Sequence, residues 1–257
     1  MNKQNYTLII IVVLLFIFLY INKTNVENFG VNKIPKIIIQ TWKNDIIPNN
    51  YYNDIKSIMQ NNKDYQFLFF NDDNIEDFLS VNYPHYYETY NKLPYKIQKI
   101  DFFRYIAVYH FGGFYFDLDM SGFLPLNDLL KHEAIFPVDT VIHDDYCNTD
   151  RLNEYCENNK IKINYLLGQY AFAAAKKNNF IKFIIDGIHN NINKYIENDT
   201  KDANFNREYY IYKTTGPDYV TTMYLQYNDK NSIHILDYYT GQYFGDYARH
   251  NHYGTWK

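Results

Sequence analysis

The chain has 257 residues, a formal net charge of -4, 19% aromatic residues and 2 cysteines. That length supports one sizeable domain with its own core, and the acidic balance lacks the basic footprint of a nucleic-acid binder. The 29 tyrosines sit among abundant Asn, Ile and Lys, the usage of an AT-rich genome, so no single tyrosine marks a ligand platform.

Residues 8–21, LIIIVVLLFIFLYI, form an unbroken apolar run. It is shorter than the roughly 20 residues of a usual bilayer span, but Tyr6 and Thr7 extend it. No small-residue cleavage site follows in Asn22, Lys23, Thr24 and Asn25, which argues against a cleaved leader. The reading is one signal-anchor transmembrane helix, with residues 1–7 as a short cytoplasmic tail and residues 22–33 as a polar stem. A single catalytic domain, 34–257, then stands in an ER- or Golgi-type lumen. There Cys147 and Cys156 either close a small disulfide loop or stay as free thiols, and their spacing does not suit zinc. Asn198-Asp199-Thr200 fits the glycosylation tripeptide.

IPKIIIQTW (34–42) opens on Pro35 and is dominated by isoleucine, which suits a buried parallel strand better than a helix. A helix is expected around 50–61. YQFLFF (65–70) reads as a second strand, after which Asn71, Asp72 and Asp73 offer caps for a helix through Leu79. Residues 95–111 form the next helix, stopped by Gly112-Gly113, and a strand over 114–120 follows directly. A further strand is expected at 134–138, then helices near 164–176 and 179–197, with the Asn-rich stretch 189–206 as a loop insertion. Strands alternating with helices predict an α/β sandwich on a mainly parallel sheet, with ligands beyond the carboxyl ends of its strands.

The block DFFRYIAVYHFGGFYFDLDM (101–120) carries the chemistry. On a strand, Asp117 and Asp119 share a face roughly 7 Å apart, leaving Phe116, Leu118 and Met120 for the core. Two carboxylates at a strand end can cradle a hard divalent cation against phosphate oxygens. One helix earlier, Asp101 and Arg104 are spaced i, i+3 on one face. Phe102, Phe103, Ile106, Ala107 and Val108 make that helix largely buried, so the pair needs polar company. An Arg fork beside an Asp acceptor can grip the vicinal hydroxyls of a sugar. Two other readings fit fewer residues. A haloacid-dehalogenase-type phosphatase would use Asp117, Asp119 and Ser121 with VIHDD (141–145), but that motif normally opens its domain. A sugar-binding protein without activity would not need Asp101, Arg104, Asp117 and Asp119 intact together.

IPKIIIQTW, the Asp-Phe-Phe-Arg-Tyr start and the Gly-Gly-x-Tyr-x-Asp-x-Asp finish resemble glycosyltransferase family 32 over roughly residues 34–257. This DxD sugar-binding family contains the initiating α-1,6-mannosyltransferases and the inositol-phosphoceramide mannosyltransferases, and the clostridial glucosylating toxins share its layout more distantly. The resemblance implies a GT-A type, Rossmann-like α/β/α sandwich. It implies a retaining transfer from a nucleotide-sugar, GDP-mannose or a UDP-hexose, to a glycan, glycolipid or protein acceptor. Asp117 and Asp119 would hold Mn²⁺ or Mg²⁺ against the diphosphate. Asp101 and Arg104 would contact the donor sugar, Tyr115 would line that pocket, and Gln40, Thr41 and Trp42 would sit near the base. GQYAFAAAKKNNFIKFI (168–184) resembles the helix after the DxD motif, placing Gln169 near the reacting sugar. TTGPDYVTT (214–222) resembles the Thr-Gly-Pro loop. HNHYGTW (250–256) resembles the closing His-His-Trp and Ser-Trp element, with His250 or His252 near the metal and Trp256 closing over the donor. Three positions depart from the pattern: Ile39 replaces a usual His, Asn251 splits the His pair, and Thr255 stands where Ser is common.

Overall fold

The isoleucine run forms an internal strand whose two faces are both covered. In the computed structural model, which describes residues 32–143, 155–157, 160–161, 164–198, 206–236 and 243–254, strand β1 is Ile37–Thr41. Ile38 packs with Ile34, Phe114 and Phe116 on one face, and Ile39 with Phe103, Tyr115 and Phe172 on the other. The proposed anchor at 8–21, Asp199 and Thr200 of the glycosylation tripeptide, Cys147 and Trp256 lie outside the described residues. Among the described residues no helix is long and apolar enough to cross a membrane.

A short turn, Asn49–Tyr51, leads into α1 (Tyr52–Asn61). Strand β2 (Gln66–Phe70) pairs parallel to β1 at the sheet edge. Helix α2 (Asp72–Asn82) is capped by Asn71, whose Oδ1 accepts the Asn74 amide at 2.9 Å. Helix α3 (Pro84–Lys92), which no sequence signal singled out, begins on proline. Helix α4 (Lys96–Phe111) ends at Gly112, and β3 (Gly113–Phe116) pairs parallel to β1. Gly113 has φ +98, and a Cβ there would lie 2.4 Å from the Ile37 carbonyl oxygen, so only glycine lets β3 approach β1 this closely.

The expected strand over 114–120 is shorter. It ends at Phe116, Asp117–Asp119 form a turn in which the Met120 amide donates to the Asp117 carbonyl at 3.2 Å, and β4 (Met120–Gly122) joins a different sheet. Strand β5 (Ala134–Val141) is longer than expected. Then come the small hairpin of β6 (Cys156–Glu157) and β7 (Lys160–Ile161), β8 (Tyr165–Leu167) and β9 (Ala171–Ala174). The helix expected at 164–176 is therefore replaced by two strands. Alanine favours helix locally, but Ala171 and Ala173 face one core cluster and Phe172 and Ala174 the other, a period-2 pattern fixed by antiparallel pairing to both β3 and β5. Helix α5 (Asn179–Asn198) absorbs the first half of the supposed loop insertion. Helices α6 (Arg207–Thr214) and α7 (Pro217–Gln226) follow, then β10 (Ile233–Leu236), β11 (Tyr243–Phe244) and β12 (Ala248–His250).

The main sheet has the order β10-β5-β9-β3-β1-β2, with β8 beside β5. Strands β1, β2, β3, β5 and β10 run one way and β9 is reversed between β3 and β5, giving a mainly parallel, mixed α/β sheet. Helices α2, α3, α4, α5 and α7 cover one face. The other is covered more thinly, by Ile58 of α1, Leu126, Leu129 and Leu130, and by Phe244 and Ala248 of the small β11-β12-β4 sheet.

Candidate active site

Three structural accidents of register bring the polar residues together. The middle of helix α4, residues 101–108, is apolar on every side apart from Asp101 and Arg104 and is buried throughout, which carries those two into the interior at 0% and 3% exposure. The β3–β4 turn puts Asp117 and Asp119 at the end of the central strands. Strand β12 pairs antiparallel to β4 with His250 opposite Met120, which lays the C-terminal segment over that turn.

The ligand atoms of Asp117, Asp119 and His250 all lie within 4.8 Å of one another, and His250 Nε2 is 3.1 Å from Asp119 Oδ1. The His250 ring stacks on Tyr170, with centroids 4.8 Å apart and planes at 6°. His252 stands beside it, its ring centroid 4.4 Å away, but lies outside that three-residue group. Two carboxylates and an imidazole form a donor set suited to Mn²⁺, and the carboxylates alone would suit Mg²⁺. The carboxylates crowd each other: burial and the neighbouring Asp119 charge raise Asp117, although Arg104 opposes the shift. Burial also acts to raise Asp119, but the His250 hydrogen bond and charge and the Tyr253 amide outweigh it and hold this carboxyl low. Burial disfavours a charged His250, yet Asp119 and Asp117 overcome it and raise the imidazole above its usual value. Both raised groups, Asp117 and His250, mark a place where added positive charge is favoured.

Behind this group Arg104 is the hub. Its Nη2 lies 3.2 Å from Asp101 Oδ1 and 3.5 Å from Asp117 Oδ1. Its Nη1 donates to the Gln169 carbonyl at 3.0 Å and also to Gln169 Oε1. The guanidinium sits 4.7 Å from the Tyr115 ring centroid. Its Nε is buried with no hydrogen-bond partner. Asp101 accepts from Thr215 Oγ1 at 2.7 Å and from Gln169 Nε2 at 3.3 Å. Its complete burial raises the carboxyl to about 6, against the pull of Arg104 and these hydrogen bonds. Tyr115 donates its hydroxyl proton to Asp117 Oδ1 at 2.8 Å and stands 3.0 Å from Thr41 Oγ1.

One cleft of about 1070 Å³ is lined by Thr41, Trp42, Asp101, Arg104, Tyr115, Asp117, Asp119, Gln169, His250 and His252. The Trp42 Nε1 donor is buried there without a partner. Gln40 does not line it: the strand period turns it to the opposite face from Thr41, and its Nε2 has no partner either. Asp101 reaches the cleft only at its wall, since both its oxygens are taken by Arg104, Gln169 and Thr215. Sequence reasoning did not single out several residues of this cleft. Tyr170 shares a motif with Gln169; Thr215, fully buried behind Asp101 and outside the cleft lining, lies inside the Thr-Gly-Pro match. Asp139 lies at a register shift between Val138 and Thr140 in the β5–β8 pairing, and such irregularities re-aim side chains; no local pattern marks it.

Residues 48–136 match the family described as "Glycosyltransferase sugar-binding region containing DXD motif". The chain is 37% identical over 101 residues to inositol phosphoceramide mannosyltransferase 3 of Schizosaccharomyces pombe, covering 39% of this chain and 28% of that protein. It is 34% identical over 101 residues to mannosyl phosphorylinositol ceramide synthase CSH1 of Saccharomyces cerevisiae, covering 39% of this chain and 27% of that one. It is 30% identical over 108 residues to the initiation-specific alpha-1,6-mannosyltransferase of Candida albicans, at 39% and 28% coverage. The matched stretch thus spans less than a third of the length of each of these three relatives. Among solved structures, the PaToxG glycosyltransferase superposes with a TM-score of 0.47 at 17% identity, over 75% of this chain and 69% of that one.

Proposed function

Because residues 48–136 belong to the glycosyltransferase sugar-binding region with its DXD motif, we propose that the chain is a metal-dependent, retaining glycosyltransferase of GT-A type. It moves a hexose, mannose in the favoured case, from a nucleotide-sugar to a glycan, glycolipid or protein acceptor. The observation that carries this reading is the convergence of Trp42, Arg104, Asp117, Asp119, Gln169 and His250 on one cleft. In the proposed arrangement residues 8–21 anchor the 34–257 domain, through a 22–33 stem, in a secretory-type membrane.

Trp42 and Thr41 form the base end of the cleft. Asp117, Asp119 and His250 would hold a divalent cation, which would supply positive charge against the diphosphate. The sugar lies against the Arg104–Gln169 wall. Asp101 acts from behind, fixing the Arg104 fork and the Gln169 amide. The acceptor hydroxyl oxygen bonds to the anomeric carbon on the face the diphosphate leaves, and its proton passes to the departing phosphate. Trp256 and the segment before it close over the donor and exclude water. A panel of GDP-mannose and UDP-hexoses, scored for transfer and hydrolysis with and without Mn²⁺, tests the reading; no turnover of any nucleotide-sugar would sink it.

A further inference from the structure

Asp54 lies outside the cleft and outside every motif, yet it is 95% buried, with 5% exposure, on the first turn of α1. Its carboxylate is fully engaged by three side chains from two distant segments. Oδ1 accepts from Ser121 Oγ at 2.5 Å and from Asn251 Nδ2 at 2.9 Å, and Oδ2 accepts from the Tyr253 hydroxyl at 3.0 Å. Asn251 Nδ2 also donates to Ser121 Oγ at 2.8 Å, closing a ring of hydrogen bonds.

Each of these partners is adjacent to a group of the metal site. Ser121 follows Asp119 by two positions, and Asn251 follows His250 directly. The Asn251 amide donates to the Asp119 carbonyl at 2.9 Å, and the Tyr253 amide donates to Asp119 Oδ2 at 3.0 Å. Tyr253 also packs edge-on against Tyr51, at 5.2 Å, and Tyr51 lies 4.9 Å from Trp42. To these backbone bonds and the short β4–β12 pairing, Asp54 adds a side-chain tie from a third element, α1.

We propose that Asp54 is a positioning residue which clamps the Asp119-bearing turn to the His250-bearing segment and thereby sets the affinity of the site for a divalent cation. This rests on the metal reading of Asp117, Asp119 and His250. A buried carboxylate can hold three donors at once, and a neutral replacement cannot. Partners that orient metal ligands from behind typically change affinity by about 10–100-fold when removed.

The test uses the full chain and Mn²⁺ alone, with binding read from the free-Mn²⁺ paramagnetic resonance signal. Asp54→Ala is expected to raise the Mn²⁺ dissociation constant about tenfold or more, and Asn251→Ala, which cuts only one side of the clamp, by a smaller factor in the same direction. Melting without metal shows that the variants are folded at the assay temperature; if Asp54→Ala is not, Asp54→Asn takes its place. Turnover of the variants should recover as Mn²⁺ is raised, which a generally damaged fold would not show. Mn²⁺ affinity within twofold of wild type in a folded Asp54 variant overturns the clamp and leaves the metal site standing. Failure of the wild type to bind Mn²⁺ overturns both.

Discussion

Arg104, on a buried helix, reaches the turn after β3 so that its Nη2 lies 3.5 Å from Asp117 Oδ1. The same nitrogen is 3.2 Å from Asp101 Oδ1, so one guanidinium joins the helix carboxylate to that of the turn. With side-chain exposures of 3% and 0% the Arg104–Asp101 pair is desolvated, and in such a pair losing one partner is far costlier than at a surface.

Arg104→Ala removes the cation that opposes the burial-raised shift of Asp101 and strands the groups it holds, and is expected to destabilise the fold by about 3–5 kcal/mol in urea titrations. Arg104→Lys keeps the charge but loses the planar fork that holds Asp101, Asp117 and Gln169 together. It is expected to fold and to lower sugar transfer by about 100-fold, measured at saturating donor and Mn²⁺.

His250 sets a pH dependence whose sign follows from its raised pKa. Metal binding needs the neutral imidazole, so the bound proton must leave and Mn²⁺ affinity should climb as pH rises above the ordinary histidine value of about 6.5. In the metal-free protein the sign is opposite. The stabilisation from the His250–Asp119 pair is full below the unfolded pKa and is lost as pH rises through the higher folded one. Calorimetric Mn²⁺ titrations and metal-free melts across pH 6–9 check both slopes, and His250→Ala should flatten both.

Gly113→Ala should cost about 2–3 kcal/mol of stability, because its φ of +98 is strained for alanine and the new Cβ meets the Ile37 carbonyl at 2.4 Å. Gly245→Ala is the control. It also has a positive φ, +53, but its Cβ would meet nothing closer than 3.6 Å, so about 1 kcal/mol is expected. Equal losses in denaturant melts would show that the β1–β3 approach is not the constraint.

Local chemistry made much of this protein legible. The Ile37–Ile39 run announced a strand covered on both faces, Asn71 a helix start, and Gly112 a helix stop. Where pairing partners lie far along the chain, local chemistry misled. Ala171–Ala174 has a helix-forming composition but fills the slot between β3 and β5. The spacing of Asp117 and Asp119 pointed to a shared site through strand pleating, whereas a turn brings them together. The sequence left His250 and His252 equivalent, because the register of β12 on β4, a long-range pairing, is what sets His250 beside Asp119. Asp54 had no signal at all, since each of its partners is a long-range contact.

The central claim is that Asp117 and Asp119 hold a cation against the diphosphate of a sugar donor. The most direct measurement is release of nucleoside diphosphate from GDP-mannose and UDP-hexoses by wild type, by wild type in chelator, and by Asp117→Ala at saturating Mn²⁺. Release in wild type that falls by at least about 100-fold in both other conditions is expected. Release that continues undiminished in chelator and in the variant would contradict a metal-held donor site.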